Sequence, residues 1–316
     1  MLDNTKLACP CENKSKLKDI GVGYICNEQN CIHHLNRSCF YFNGGVPVII
    51  SEEKTDTLCQ SSSVASYVSR QSRETFFGKI IAHAKKLQGT SPASKKNCEG
   101  FLTFVRANSE NPSILIIGSG EVGSAADRLY TAGLQVTGID IYITGSVDVV
   151  CDAHYLPFES ESFDGVWIQA VLEHVMDPAK VVNEIYRVLK KDGTVYAETA
   201  FMQPVHEGAY DFTRFTVLGH RYLFKSFDLV DMGGVASAVS SLSWAIKYFF
   251  WAVTGSKKIA QVMGVLSGII LRPFNFFVRK KSLYDSCSGV YFMGKKTANK
   301  PITQREVVLL YKGYMT

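Results

Sequence analysis

A glycine-rich segment follows a run of branched apolar residues near the middle of this 316-residue chain. Residues 114–123 read ILIIGSGEVG, which places Gly118, Gly120 and Gly123 in a GxGxxG pattern. Glycines at the end of a strand let the backbone turn tightly and approach a nucleotide at the start of the next helix. Such glycines also occur for steric reasons alone. As a nucleotide site, the pattern fits a dinucleotide, which serves hydride transfer, and S-adenosylmethionine, which serves methyl transfer.

A carboxylate ends the next strand-like run. The segment LQVTGID finishes at Asp140, seventeen residues after Gly123. A carboxylate at this place can accept hydrogen bonds from both ribose hydroxyls of either ligand. The alternative is that Asp140 only caps a turn or helix. Asp140 therefore supports a nucleotide pocket and leaves the identity of the nucleotide open.

Candidate general bases lie further along the chain, in FMQPVHEGAYDFTRFT. A neutral His206 could take a proton from an acceptor, with Asp211 orienting the ring and Arg214 binding an anionic acceptor. Alternatively, Asp211 and Arg214 pair to fix the loop and His206 is solvated. His174, in the segment LEHV, is the competing base.

Alternating strands and helices must position these residues. Strand-like runs occur at 113–117, 135–139, 146–151, 164–170 and 193–199. Helical patterns lie between the first and second runs and between the fourth and fifth. This order predicts an α/β fold with a parallel sheet whose ligand lies at the carboxyl ends of the strands.

The segment VVCDAHYLPFESESFDGVWIQAVLEHVMDPAKVVNEIYRVLKKDGTVYAET resembles the core of class I S-adenosylmethionine-dependent methyltransferases. The resemblance covers about residues 112–225 and recurs at 288–296. The loop that contains His206 is similar to a stretch of type 11 methyltransferases. The resemblance implies a Rossmann-like, seven-stranded sheet with an antiparallel last strand. It also implies that Asp152 and Ala153 meet the adenine.

The resemblance completes a set of predicted site residues. Ile116 stands where the family often has an acidic residue, and Glu121 is the candidate to replace it. The predicted catalytic residues are His206 and His174. The predicted cofactor-binding residues are Gly118, Ser119, Gly120, Glu121, Gly123, Asp140, Ile141, Asp152, Ala153, Gln169 and Ala170.

The predicted activity is methyl transfer from S-adenosylmethionine to an oxygen or nitrogen atom of a small metabolite or of one linked to lipid or glycan. One alternative is an NAD(P)-dependent oxidoreductase, which would call for a Tyr-x3-Lys or similar element after the fourth strand, and none is seen. The other alternative is a non-catalytic adaptor that binds partners and keeps the pocket as a relic.

Two close pairs of cysteines near the amino terminus could bind a metal. Cys9 and Cys11 are followed, after fourteen residues, by Cys26 and Cys31. Two thiolate pairs can supply the four tetrahedral ligands of a zinc ion. The segment resembles the small zinc ribbons that precede bacterial methyltransferase domains, although its spacings differ, and His33, His34 and Cys39 are possible substitutes. The alternative is a cysteine-rich loop without metal.

The chain divides into four segments on these patterns. Residues 1–51 form the cysteine-rich segment. Residues 52–110 form a helical lead-in over the sheet edge, with helices near 61–88 and 101–107 separated by GTSPASKKN. Residues 111–296 form the methyltransferase domain. Residues 297–316 form a tail with a strand-like VVLLY run.

A helical insert at 233–285 precedes the last predicted strand. Its polar residues form one narrow helical stripe in an otherwise apolar sequence, and Pro273 should divide the helix: the stripe is Lys257, Gln261, Gly264, Gly268, Arg272, Asn275 and Arg279. So wide an apolar face indicates deep packing, an acceptor pocket or dimer contact, or a membrane interface. Basic residues and Trp244 and Trp251 within 242–281 suit an anionic bilayer surface.

Composition limits the compartment and the partners. The apolar content of 46% is that of a globular protein, and residues 242–316 carry a net charge of +10 against −5 for the rest. The amino terminus lacks the layout of a secretory signal. We therefore expect a cytoplasmic protein, with membrane association as an option. No nucleic-acid partner is expected, and the oligomeric state stays open.

Overall fold

The computed structural model describes residues 3–35, 40–51, 92–121 and 125–316. The predicted helix at 61–88, Gly123 and Cys39 lie outside the described residues.

The described strands form one continuous mixed sheet. In chain order they are β1 (Leu17–Asp19), β2 (Gly23–Cys26), β3 (Phe40–Asn43), β4 (Val46–Val48), β5 (Ser113–Ile117), β6 (Gln135–Asp140), β7 (Val149–Val150), β8 (Phe163–Gln169), β9 (Leu189–Ala200), β10 (Phe227–Gly234) and β11 (Gly289–Lys296). The runs of branched apolar residues that predicted β5 and β8 are buried along their whole length apart from the last residue of β8.

The sheet has eleven described strands rather than the predicted seven, and seven of them form its mostly parallel part. They follow the order β7-β6-β5-β8-β9-β11-β10. Pairing is parallel from β7 to β9, and β11 lies antiparallel to both β9 and β10. The carboxyl ends of β5, β6, β7, β8 and β9 therefore meet at one edge, where ligands bind in such sheets.

The amino-terminal strands are continuous with this sheet. β1 to β4 pair antiparallel in sequence, and β4 pairs parallel with β7 through Val48 and Val150. The cysteine-rich segment predicted at 1–51 is therefore joined to the methyltransferase sheet by hydrogen bonds. The segment extends the sheet at the side where β7 leads into the predicted adenine-binding residues.

Helices cover the sheet and form the insert. They are α1 (Ile32–Leu35), α2 (Pro92–Asn108), α3 (Asp127–Thr131), α4 (Pro178–Val188), α5 (Val217–Leu223), α6 (Ala238–Thr254), α7 (Lys257–Leu271), α8 (Leu283–Ser286) and α9 (Gln304–Val308). The buried residues form one large cluster that includes α4, and a second that includes α2.

Two predictions about helices were wrong. α2 begins at Pro92, inside the predicted break, because proline is well tolerated in the first turn of a helix. It packs on the face of the sheet rather than its edge, with the Phe101 ring 5.4 Å from the Trp167 ring. In the tail, a capping box between Thr303 and Glu306 starts α9, so VVLLY is not a strand.

The insert is a helical hairpin. α6 ends at Gly255, whose φ of 65° is the left-handed conformation that glycine adopts easily. Ser256 then caps α7 through the N–H of Ile259. At Pro273 the chain continues as a 3-10 helix, Arg272–Phe277, so the proline divides the helix as predicted.

Candidate cofactor and acceptor site

The glycine loop leaves β5 through a turn that only glycine can make. Gly118 has a φ of 82°, and a Cβ there would lie 2.3 Å from Val171 Cγ2. The chain then forms a 3-10 turn, Ser119–Glu121. The Ser119 hydroxyl donates to the carbonyl of Ile139, which fixes the turn against β6.

Asp140 lies against this loop. Its Oδ2 accepts the N–H of Gly120 at 2.8 Å, and its Oδ1 accepts the N–H of Ile141 at 2.7 Å. A Cβ at position 120 would lie 2.7 Å from Asp140 Oδ2 and 2.6 Å from a ring carbon of Tyr142. A side chain at position 120 would therefore displace the Asp140 carboxylate or the Tyr142 ring. The structure brings the predicted ribose ligand and the glycine loop together.

Asp152 and Ala153 follow β7 directly. The Cys151 N–H donates to the Asp140 carbonyl, so this turn lies beside the end of β6. Asp152 Oδ1 accepts the N–H of His154 at 2.8 Å and lies 2.6 Å from His154 Nδ1. That oxygen is engaged in capping its own turn. An adenine amino group would have to reach the second carboxyl oxygen, Oδ2.

Gln169 and Ala170 end β8 next to a partly buried carboxyl group on β9. The Ala170 N–H donates to the Glu198 carbonyl, and Ala170 has a φ of 56°. The Glu198 carboxyl accepts hydrogen bonds from Ser94 Oγ at 3.0 Å and from the Tyr196 hydroxyl at 2.8 Å. Burial raises the pKa of Glu198. The part of the predicted cofactor site at Gln169 and Ala170 is therefore lined by polar groups of β8, β9 and α2.

Glu173 was missed by the sequence analysis, although it stands in the otherwise apolar run VLEHV. It is only 1% exposed, and burial raises its pKa to about 7. Its Oε1 accepts the N–H of Ala200 at 3.2 Å, at the end of β9. Its carbonyl accepts the N–H of Phe212 at 2.8 Å. The signal was a carboxylate among apolar neighbours, and its partners come from distant parts of the chain.

The two predicted bases lie together beside Glu173. The rings of His174 and His206 are 5.0 Å apart. His174 Nδ1 lies 2.7 Å from the carbonyl oxygen of Tyr210, and burial lowers the pKa of His174. One ligand atom each from Glu173, His174 and His206 lie within 4.8 Å of one another. We call these three residues the acceptor cluster.

Asp211 and Arg214 pair with each other. Arg214 Nη2 donates to Asp211 Oδ2 at 2.9 Å, and Arg214 Nε donates to the Gln203 carbonyl at 2.9 Å. Burial acts to raise the pKa of Asp211, but the hydrogen bond from Arg214 and further contacts lower it below its usual range. Asp211 Oδ2 also accepts the backbone N–H of His206 at 2.8 Å. The pair fixes the loop, as the second of the two interpretations had it.

The helical insert borders this loop. The Trp244 ring lies 6.2 Å from the His206 ring, and the Tyr248 hydroxyl donates to the Val205 carbonyl. α6 therefore connects the acceptor cluster to the hairpin.

The four cysteines of the amino-terminal segment also come together. The sulfur atoms of Cys9, Cys11, Cys26 and Cys31 lie within 4.8 Å of one another, and those of Cys9 and Cys31 are 3.9 Å apart. Tetrahedral ligands at a Zn–S distance of about 2.3 Å are about 3.8 Å apart. The candidate substitute His34 contacts the carbonyl of Cys26 through Nδ1 instead.

Comparison with known proteins gives the class. Residues 115–197 match the family described as "Methyltransferase domain". The ubiquinone/menaquinone biosynthesis C-methyltransferase UbiE of Pseudoalteromonas translucida is 38% identical over 103 residues, which cover 32% of this chain and 37% of the relative. The UbiE of Desulfotalea psychrophila is 33% identical over 107 residues, covering 28% and 43%.

A solved structure was also matched. Phosphoethanolamine N-methyltransferase 2 from Haemonchus contortus, in complex with S-adenosyl-L-methionine, is 20% identical with a TM-score of 0.39, covering 63% of this chain and 52% of that one. The chain spans less than half the length of the two curated relatives named above.

The strand order, the glycine loop with Asp140, and the match over 115–197 define a Rossmann-like methyltransferase. The chain carries a class I S-adenosylmethionine-dependent methyltransferase domain, and S-adenosylmethionine is its cofactor. Both predictions are confirmed. The Asp140 carboxylate beside the glycine loop suits a nucleoside at this edge.

Proposed function

We propose that this protein transfers a methyl group to an apolar, lipid-linked acceptor that carries an ionisable hydroxyl group. The observation that carries the proposal is the acceptor cluster, one buried carboxyl group with two half-buried imidazoles, which lies where β8 and β9 end and where α6 contacts the loop. Bound S-adenosylmethionine supplies a methyl group already activated on a sulfonium. The protein must therefore mainly bind and orient the two reactants and provide for the acceptor's proton.

The residues divide between the two reactants. The backbone of Gly118 to Gly120 and the carboxylate of Asp140 would hold the adenosine, with Asp152 and Ala153 at the adenine. Gln169 and Ala170 would lie at the methionine end. The acceptor cluster would meet the acceptor's hydroxyl, since Glu173 is buried and the half-buried His174 and His206 lie beside it.

The atom methylated depends on the acceptor. The sequence predicts an oxygen or nitrogen acceptor, whereas the relatives at 38% and 33% identity are named C-methyltransferases. A hydroxyl group on an aromatic ring connects the two cases, because loss of its proton makes both the oxygen and the neighbouring ring carbon nucleophilic. We therefore propose a hydroxylated aromatic ring with an apolar tail, in keeping with the quinone chemistry in the relatives' names.

The hairpin supports a lipid-linked acceptor. Residues 232–284 contain seven Lys and Arg residues and no Asp or Glu. Among the described residues, one helical stretch, Lys257–Phe277, is long and apolar enough to cross a membrane by length and composition, and little of it is buried. Phe276 and Phe277 are 91% and 80% exposed. We propose that the hairpin binds the cytoplasmic surface of an anionic membrane.

We also propose that Cys9, Cys11, Cys26 and Cys31 bind one zinc ion. The 3.9 Å separation of two of their sulfur atoms is close to the spacing of tetrahedral ligands. Elemental analysis of the purified protein should give about one zinc per chain, and a metal-free protein would contradict this proposal.

Binding of S-adenosylmethionine tests the cofactor half of the function. Calorimetry should show binding of S-adenosylmethionine and not of NAD. Asp140→Ala should weaken the affinity at least tenfold, or about 1.4 kcal/mol, because the ribose loses its acceptor. Asp177→Asn is the control, since it changes an exposed carboxylate that caps α4. Unchanged affinity in Asp140→Ala would overturn the pocket assignment.

Methyl transfer tests the acceptor half. The protein is incubated with methyl-labelled S-adenosylmethionine and either a membrane lipid extract or a water-soluble metabolite extract. Label should enter the lipid fraction, and fragmentation of the labelled product identifies the methylated atom. Label in the soluble fraction alone would contradict a lipid-linked acceptor and leave the cofactor assignment intact.

A further inference from the structure

The acceptor cluster has the donor set of a metal site. We propose that Glu173, His174 and His206 bind one divalent transition-metal cation, whose remaining coordination positions take the acceptor's hydroxyl oxygen. Only the assignment of the acceptor's hydroxyl oxygen as a further ligand rests on the proposed function. The site is distinct from the cysteine cluster, which lies on β2 and the loops of the amino-terminal segment.

Both histidines are held with one ring nitrogen directed at backbone or carboxylate oxygens. His174 Nδ1 lies 2.7 Å from the carbonyl of Tyr210. His206 Nδ1 lies 3.3 Å from the carbonyl of Pro204 and 3.4 Å from Asp211 Oδ2. The Tyr210 carbonyl favours the His174 tautomer with a proton on Nδ1. Nδ1 of His206 is engaged by these two oxygens and by Arg214 Nη2, which lies 3.4 Å away. In both rings Nε2 is the nitrogen that remains for a ligand. Histidines that bind metals are oriented by such contacts.

The third donor is the Glu173 carboxylate, and the protein also holds one of its two oxygens. Glu173 Oε1 accepts the N–H of Ala200, whereas Glu173 Oε2 is buried and has no hydrogen-bond partner within the described ranges. A buried carboxylate oxygen without a partner is costly, and a bound cation would remove that cost. Each of the three residues therefore has one polar atom held by the protein and one that remains for the ion.

The donor chemistry indicates the class of ion. Two imidazole nitrogens and one carboxylate oxygen suit Mn²⁺, Fe²⁺ or Zn²⁺, and such three-residue sites keep positions open for a further ligand. Asp211 and Arg214 neutralise each other beside the site. A dication with one carboxylate would thus keep a net positive charge, which attracts an acceptor oxygen that loses its proton.

The three ligand atoms must move slightly closer together to bind one ion. The three ligand atoms lie within 4.8 Å of one another, whereas ligands about 2.1 Å from one ion are about 3–3.5 Å apart. Rotation of the two side chains that are not fully buried, His174 and His206, can supply this change.

Titration with Mn²⁺ tests the site on the full-length, zinc-loaded protein. Mn²⁺ is chosen because it prefers nitrogen and oxygen donors over thiolates, so the cysteine cluster does not compete. The loss of the free Mn²⁺ signal in electron paramagnetic resonance should give about one bound ion per chain. Glu173→Gln and His206→Ala should each weaken binding at least tenfold. Asp211→Asn, which changes an orienting group, should weaken it less.

The controls separate this inference from the proposed function. Glu161→Gln removes an exposed carboxylate just before β8, at the opposite end of that strand from the site, so it should change Mn²⁺ affinity less than twofold. If the ligand variants fold poorly, spin-echo spectra of Mn²⁺ bound to the wild type should still show coupling to two imidazole nitrogens. A wild-type protein that binds S-adenosylmethionine but no Mn²⁺, or whose bound Mn²⁺ lacks nitrogen coupling, overturns the cation site alone. Failure to bind S-adenosylmethionine would overturn the proposed function instead.

Discussion

His220 is a fully buried histidine that takes no part in the proposed chemistry. It lies on α5 between the rings of Phe215 and Phe224, and its Nε2 is 3.0 Å from the Thr199 hydroxyl. Burial lowers its pKa from 6.5 to about 3, because the charged ring would lose its hydration. His220 is therefore neutral in the folded protein across the physiological range of pH.

This burial makes the stability of the protein depend on pH. Below pH 6.5 the unfolded chain binds a proton at His220 that the folded protein binds only near pH 3. The free energy of unfolding should thus fall as the pH decreases between these values, by about 2 kcal/mol at pH 5 from this residue. Urea unfolding at pH 8 and at pH 5 measures this change in the free energy of unfolding.

The matched variant is His220→Gln, which keeps a polar side chain and cannot titrate in this range. Carboxyl groups contribute equally in both proteins, so the difference between them isolates the histidine. Wild type should lose about 2 kcal/mol more than the variant between pH 8 and pH 5. Parallel losses in the two proteins would show that His220 accepts a proton in the folded state.

Single residues were predictable where their role depends on the local chain. Asp140 could be placed because a carboxylate after a strand, at a set distance from a glycine loop, reaches that loop in a parallel sheet. The role of Glu173 could not be predicted, because its burial depends on contacts with Ala200 and Phe212, which are distant in sequence. The pairing of Asp211 with Arg214 stayed open because spacing alone does not decide between an internal partner and a ligand.

At the level of elements, the amino-terminal strands are attached to the predicted adenine-binding turn. β4 pairs with β7, the Ala8 N–H donates to the Pro157 carbonyl at 3.0 Å, and the Glu159 N–H donates to the Lys6 carbonyl at 2.9 Å. Cys9, Cys26 and Cys31 belong to the same buried cluster as Cys151, Ala153 and Phe158. The cysteine cluster therefore supports the turn that follows β7.

Loss of the proposed zinc ion should consequently weaken cofactor binding from a distance. Cys11→Ser removes one thiolate, which should lower the zinc content and weaken S-adenosylmethionine binding about tenfold, equivalent to about 1.4 kcal/mol. Elemental analysis and calorimetry on the same sample measure both. Cys98→Ser is the control, because Cys98 is a buried cysteine of α2 outside the cluster. A variant that lacks zinc yet binds the cofactor like wild type would contradict this coupling.

Elements with strong sequence patterns were predicted better than their contacts. The runs ILII and GVWIQ gave β5 and β8 because buried parallel strands are apolar throughout. The junction of β4 with β7 rests on one residue pair, Val48 with Val150, and no pattern of spacing identifies such a pair. The start of α2 was misplaced because proline ends a helix in its interior but suits its first turn.

For the whole molecule, the basic and apolar surfaces coincide on the hairpin. Its exposed apolar side chains include Phe249, Ile270 and Phe276, at 61%, 66% and 91% exposure. Lys257, Lys258 and the run Arg279–Lys281 flank α7 and its 3-10 extension, while the first 241 residues are net acidic. If the hairpin binds a membrane as proposed, this distribution would orient the protein, since an anionic surface attracts the hairpin and repels the body.

Flotation with vesicles tests this orientation. The protein should float with vesicles that contain anionic lipid and much less with neutral ones, and salt should weaken the binding because it screens the lysines and arginines. Phe276→Ser with Phe277→Ser should reduce binding at least tenfold, since each phenyl ring contributes about 1.5–3 kcal/mol when fully buried. Leu309→Ser is the matched control, because Leu309 is 81% exposed but lies after α9. If the control variant loses as much vesicle binding as the double variant, the hairpin serves another contact. The same conclusion follows if the wild type stays at the bottom of the gradient at low salt.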